Sequence, residues 1–130
     1  MGKNKLARWA ELNTFKNVIQ PDPGIRPGKD HPVKGNWKRD IFHNDNPIVL
    51  ELGCGKGEYT TGLSERFPER NYIGVDIKGA RMWRGARTAN DKNIPNAAFL
   101  RTRIEFTGSF FAEDEVDEIW LTFPDPQSGS

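Results

Sequence analysis

Eleven residues, Pro47 to Gly57 (PIVLELGCGKG), constrain this chain more than any other stretch. Ile48, Val49, Leu50 and Leu52 make a short apolar run without alternation. That is the pattern of a strand buried on both faces, hence of a parallel sheet covered by helices. The run breaks into Gly53-Cys54-Gly55-Lys56-Gly57, with a glycine at every second position. Glycine permits a tight backbone reversal and leaves room for a ligand against the main chain. Glu58 to Phe67 then reads as a helix stopped by Pro68. Strand, glycine turn and helix form the first unit of a nucleotide-binding α/β sheet. On the GxGxG spacing alone, an ordinary structural turn fits equally well.

The sequence beyond weighs toward a ligand. Asn71 to Ile77 (NYIGVDI) is a second apolar strand ending in an acid, and Asp76 follows Gly57 by 19 positions. An offset of ~20 residues is where a carboxylate meets a pair of ribose hydroxyls. Glu51 lies inside the first strand, where a charge is costly unless it is paired or turned toward a polar ligand. Two carboxylates at adjacent strand ends suit a ligand carrying a ribose and a cationic group. No third glycine completes GxGxxG, the spacing that seats a pyrophosphate at a helix N-terminus. S-adenosylmethionine is therefore expected in preference to a dinucleotide.

The 130 residues support one small domain. Charge is unevenly placed: residues 1–46 hold nine basic and five acidic groups, net +4, and residues 47–130 hold ten and thirteen, net −3. A basic arm on a mildly acidic body suits a polyanionic partner, and equally a solvated leader. Cys54 is the single cysteine, which excludes an intrachain disulfide and a cysteine-based metal site. With no long apolar run and no signal-peptide core, a soluble cytoplasmic protein is expected.

The chain divides into a basic arm and linker (1–46), a half-sheet (47–127) and a linker-like tail (128–130). Lys5 to Val18 has a broken helical period, and Gln20 to Pro32 carries four prolines and two glycines, as a linker does. Asn36 is placed to cap a short helix over Trp37–Phe42 that lays two aromatics on the sheet. Gly79 to Asn90 reads as the second helix. Met82, Trp83 and Ala86 are its buried stripe, and Arg81, Arg84 and Arg87 share a neighbouring face. Such an arginine row either grips a phosphate backbone or is simply solvated. Asn96–Thr102 is a third strand, Phe106–Phe111 a helical or turn segment, and Glu118–Phe123 a fourth strand running into Pro124-Asp125-Pro126-Gln127. Right-handed crossovers stack these strands in the order 3-2-1-4, a Rossmann-like half-sheet. The fourth strand is then an apolar edge of Ile119, Trp120, Leu121 and Phe123, open to a partner.

Taken together, IVLELGCGKGEYTTGL, FPERNYIGVDIKGARMW, NAAFLRTRIE and, most specifically, DEIWLTFPDPQ resemble the bacterial tRNA (guanine-N7-)-methyltransferases. The resemblance covers nearly all of residues 1–127. It implies a class I methyltransferase fold, S-adenosyl-L-methionine as donor, and N7 of a guanine in the tRNA variable loop as acceptor. Carried over by position, Glu51, Gly53, Gly55, Gly57, Asp76 and Ile77 belong to the cofactor pocket. Glu51 would lie beside the methionine moiety and Asp76 on the ribose hydroxyls. Arg103, Ile104 and Glu105 would lie by the adenine, and Asp125 at the cofactor–guanine junction as the candidate catalytic acid. Many family members have an acid at the position of Arg103. Arginine cannot accept a hydrogen bond from the adenine amine, so Glu105 or a backbone carbonyl would substitute. The family also continues past DPQ into a half that completes the sheet and holds tRNA, whereas this sequence ends in Ser128-Gly129-Ser130. A fragment with little turnover is expected, its open edge self-associating or pairing with such a half. Two other readings stay in view: a small-molecule methyltransferase sharing the cofactor half, and a cofactor- or RNA-binding fragment without turnover.

Overall fold

The computed structural model describes residues 6–7, 10–12, 14–21 and 29–121. Its parallel strands are β1 (Val18–Ile19), β2 (Ile48–Leu52), β3 (Asn71–Asp76), β4 (Ala97–Arg101) and β5 (Glu118–Leu121). Helix α1 (Glu58–Arg66) connects β2 to β3, and α2 (Gly79–Asp91) connects β3 to β4. The sheet order is β1-β4-β3-β2-β5. The expected 3-2-1-4 order is thus reproduced by β4-β3-β2-β5, in register from Ile48 opposite Asn71 to Leu52 opposite Val75.

The sequence expectation is short by one strand. Lys5–Val18, expected from its broken period as a short helix or a partly ordered arm, is helical at residues 6–7 and 10–12 and turns over 14–17, and Val18–Ile19 then pairs with Phe99 and Leu100 at the outer edge of β4. Two residues carry no periodicity, so only the pairing with β4 marks them as strand. The linker positions 22–28 lie outside the described residues, as do residues 122–130, including Phe123, Asp125 and the tail.

Each face of the sheet has its own core, because side chains alternate along a strand. Ile48, Leu50 and Leu52 of β2 join Ile73, Val75, Ala98 and Leu100 beneath Trp37, Phe42, Phe110 and Phe111. On the other face Phe99 meets Met82 and Ala86 of α2 together with Leu12, Val18 and Cys54. Trp37 and Phe42 do lie on the sheet. Trp37 is fully buried, stacks on Phe111 at 5.1 Å and donates its Nε1–H to the Phe110 carbonyl at 2.7 Å.

The segment Trp37–Phe42 winds as a wide π-helical turn, and Asn36 makes no side-chain capping bond to it. Its amide instead donates to the Pro32 carbonyl. The first amides are satisfied from the far side of the chain: the Glu115 carboxylate accepts from Gly35 and Ala112 at 2.8 Å each and from Trp37 at 3.2 Å. A carboxylate outcompetes a neutral amide for N–H groups because the bond is charge-assisted. Asn96 closes α1 in a similar way, donating to the carbonyls of Ser64 and Arg70 at 2.9 and 2.8 Å. The Ser64 carbonyl is one that the end of a helix leaves without an intrahelical partner, and Arg70 lies in the turn that follows.

Among the described residues no helix is long and apolar enough to cross a membrane. Strand β5 is the exposed edge anticipated from the sequence: Ile119, Trp120 and Leu121 are 58%, 50% and 66% exposed.

Candidate functional site

Parallel α/β sheets bind ligands beyond the carboxyl ends of their strands. Such a cleft, of about 300 Å³, opens here at the ends of β2, β3 and β4. It is lined by Gly53, Asp76, Ile77, Thr102, Arg103, Ile104 and Glu105. A second cleft of about 350 Å³ lies at the opposite end, around Lys16, Asn17, His43 and Ala97, the first residue of β4. The topological rule favours the first.

The glycine turn builds one wall. After β2 the chain reverses at Gly53, whose φ is +79°, and the Gly53 and Cys54 amides both donate to the Val75 carbonyl, at 2.8 and 3.0 Å. The Gly55 amide donates to Asp76 Oδ2 at 2.8 Å, and the Lys78 amide donates to Asp76 Oδ1 at 3.0 Å. Asp76 is therefore aimed by two backbone donors on different loops. A carboxylate offers about four acceptor positions, so capacity remains for ribose hydroxyls. Ile77 and Ile104 supply apolar surface in the same cleft, and Glu105 a further acceptor. Arg103 and Glu105 pair at 3.8 Å in largely exposed positions, a geometry that contributes little to stability.

Six of the residues expected from the sequence line this cleft: Gly53, Asp76, Ile77, Arg103, Ile104 and Glu105. Gly55 adjoins it through its bond to Asp76. Glu51 and Gly57 are not in the lining. Glu51 is only 7% exposed and accepts a hydrogen bond from the Thr60 hydroxyl of α1. Gly57, with φ of +75°, is the approach point of α2: a Cβ there would lie 2.6 Å from the Phe99 ring and 3.3 Å from Gly85. Asp125 lies outside the described residues.

Cys54 sits beneath the turn as a neutral thiol. Burial pushes its pKa well above the usual thiol range, and the neighbouring Asp76 and Glu51 carboxylates add to the shift. It is no candidate nucleophile, since the thiolate is the reactive form.

Three contributors were missed by sequence reasoning. Thr102 is buried and lines the cleft, its amide donating to the Asp76 carbonyl at 3.0 Å. Its position immediately before Arg103 was the available signal. Thr60 satisfies Glu51 from nine residues away, which a helix start facing a strand-borne acid could have suggested. Gly85, a glycine inside a helix, marks a close contact. A Cβ on it would stand 2.8 Å from the Lys56 carbonyl oxygen.

The arginine row is exposed, but its members differ. Arg87 pairs with Glu11 at 3.0 Å and with Asp91 at 3.3 Å, and lies over the Trp83 ring. Arg81 and Arg84 face solvent.

Comparison with known proteins adds an independent line. Residues 45–128 match a family model described as "Putative methyltransferase". A tRNA (guanine-N(7)-)-methyltransferase of Christiangramia forsetii is 55% identical over 96% of this chain and 56% of its own length. One from Porphyromonas gingivalis is 57% identical over 89% of this chain and 48% of its own. The chain thus spans about half the length of the curated relatives it matches. In fold it is similar to the 30S ribosomal A1408 methyltransferase from an uncultured bacterium, with a TM-score of 0.59 at 18% identity, over 77% of this chain and 48% of that one.

Proposed function

Because the chain belongs to this family of methyltransferases, we propose that its cleft binds S-adenosyl-L-methionine and that it forms the donor side of an enzyme methylating guanine N7 in tRNA. The observation that carries the proposal is the Asp76 carboxylate, held by the Gly55 and Lys78 amides at the mouth of a cleft that also offers Ile77 and Ile104. That donor set fits an adenosine: a fixed acceptor for hydroxyls, apolar surface for a purine and a carboxylate at Glu105 for an exocyclic amine. When bound, the cofactor supplies an electrophilic methyl on sulfur.

The chain's own residues are then asked to bind and orient. Guanine N7 carries a lone pair and no proton, so no general base is needed. Holding reactants in line can contribute ~7–11 kcal/mol. Asp125 is assigned the orienting role, accepting from the guanine N1–H and N2 amine as a charge-assisted contact. Glu51, beside the glycine turn, is assigned to the methionine end. The basic N-terminal segment and Arg81 and Arg84 add salt-dependent attraction for RNA, and a tRNA substrate implies work in the cytoplasm.

The relatives carry about as much sequence again as this chain matches, and we expect efficient transfer to need it. The apolar edge of β5 is expected to pair with such a segment or with a second copy. The test combines calorimetric binding of S-adenosylhomocysteine with tritiated-methyl transfer to tRNA lacking N7-methylguanosine, using this chain and a full-length relative. Binding with weak transfer, and self-association in sedimentation, is the expected result. Absence of binding would reject the cofactor assignment, and a monomer as active as the full-length relative would reject the need for a second half.

A further inference from the structure

We infer that Arg101 is a positioning residue for this cleft, and that β1 is part of the cleft's support through it. The inference rests on the cofactor reading above. Arg101 ends β4 directly opposite Asp76 in the β3–β4 register. Its Nε–H donates to the Ile77 carbonyl at 3.1 Å, and its Nη1–H donates to Gln20 Oε1 at 3.2 Å, just past β1. Its stem lies across the start of α2: a Cβ on Gly79 would stand 3.0 Å from Arg101 Cδ and 3.1 Å from the buried Leu12.

The Ile77 carbonyl and the Lys78 amide belong to one peptide unit. That unit is planar and trans, so its C=O and N–H point in opposite directions and turn together. On one side the carbonyl is held by Arg101. On the other the N–H is held at 3.0 Å by Asp76 Oδ1. Fixing the carbonyl therefore fixes the donor that aims the Asp76 carboxylate, and it fixes the backbone that presents Ile77 to the cleft. Hydrogen bonds in series also polarise one another, so the guanidinium strengthens the Lys78–Asp76 bond through the shared peptide. Gln20 completes the chain of contacts by holding the guanidinium from the β1 side. The N-terminal segment thus has a task at the cleft separate from any contact with RNA.

The test uses the 130-residue chain, with S-adenosylhomocysteine binding by calorimetry and amide exchange by NMR without ligand. Arg101→Ala is expected to weaken binding roughly fivefold to thirtyfold. It should also speed exchange at Lys78 and Gly55 while the amides central in β2 keep their protection. Gln20→Ala, which removes the acceptor on the β1 side, should act in the same direction by about twofold to fivefold. The double variant should bind no more weakly than Arg101→Ala alone, since the two residues act through one contact. Should Arg101→Ala prevent folding, Gln20→Ala carries the test. Unchanged affinity in these variants, or acceleration spread evenly over the sheet, overturns the inference as a mere loss of stability. If the wild-type chain fails to bind while Lys78 exchange still responds to Arg101→Ala, the cofactor reading falls and the clamp stands.

Discussion

Replacing Asp76 by Asn separates its two tasks, bracing the turn and meeting a ligand. The carboxylate accepts from Gly55 at 2.8 Å and from Lys78 at 3.0 Å. An amide of the same shape has one oxygen to accept with, and its NH2 group would face the second backbone N–H, donor against donor. A hydrogen bond to a charged group is worth ~1.5–3 kcal/mol. Asp76 is partly exposed, so water recovers some of the loss and the low end applies, about 1–2 kcal/mol. For a chain of this size that lowers the melting temperature by roughly 3–8 °C. The ligand term is separate: losing the charged acceptor should weaken S-adenosylhomocysteine binding about tenfold to a hundredfold, and Asp76→Ala should do the same. Scanning calorimetry reads the first effect and titration calorimetry the second. A lowered melting point with wild-type affinity would refute the ligand assignment and leave Asp76 as a brace.

Gly85→Ala places a Cβ 2.8 Å from the Lys56 carbonyl oxygen and 2.9 Å from the Phe99 ring. Backbone cannot yield cheaply, so a loss of about 1–3 kcal/mol is expected in denaturant unfolding, and a wild-type midpoint would contradict the packing described. Cys54 has its pKa raised by burial and by the Asp76 and Glu51 carboxylates. A thiol kept neutral in the fold and free to ionise when unfolded contributes stability below its unfolded pKa, and that contribution fades above about pH 8.5. Wild type should therefore lose more stability between pH 8 and 10 than Cys54→Ala, and parallel curves would refute this. Replacing Arg81 and Arg84 by Gln should flatten the salt dependence of tRNA binding by about one to two phosphate contacts. An unchanged slope would show that these side chains are simply solvated.

Sequence alone determined the elements whose signals are local. The apolar run Ile48–Leu52, its break into alternate glycines and the acid ending Asn71–Asp76 each reflect neighbouring residues acting on one backbone. Strand order followed from crossover handedness; of the residues lining the cleft, Gly53 and Asp76 followed from strand ends, and Ile77, Arg103, Ile104 and Glu105 from the family resemblance. Tertiary structure decided whatever depends on partners distant in the chain. Val18–Ile19 is a strand only because β4 offers an open edge. Asn36 makes no capping bond because its side-chain amide is turned back to the Pro32 carbonyl, while Glu115, some 80 residues on, takes the Gly35 and Trp37 amides as a charged acceptor. Gly57 and Gly85 matter because two helices converge on Phe99. Glu11 bonds to Trp83 and Arg87 across more than 70 residues, giving one arginine of the exposed row an ion-pair partner. Such contacts leave no period in a sequence, since the energy of a hydrogen bond or a close contact depends on distance in space.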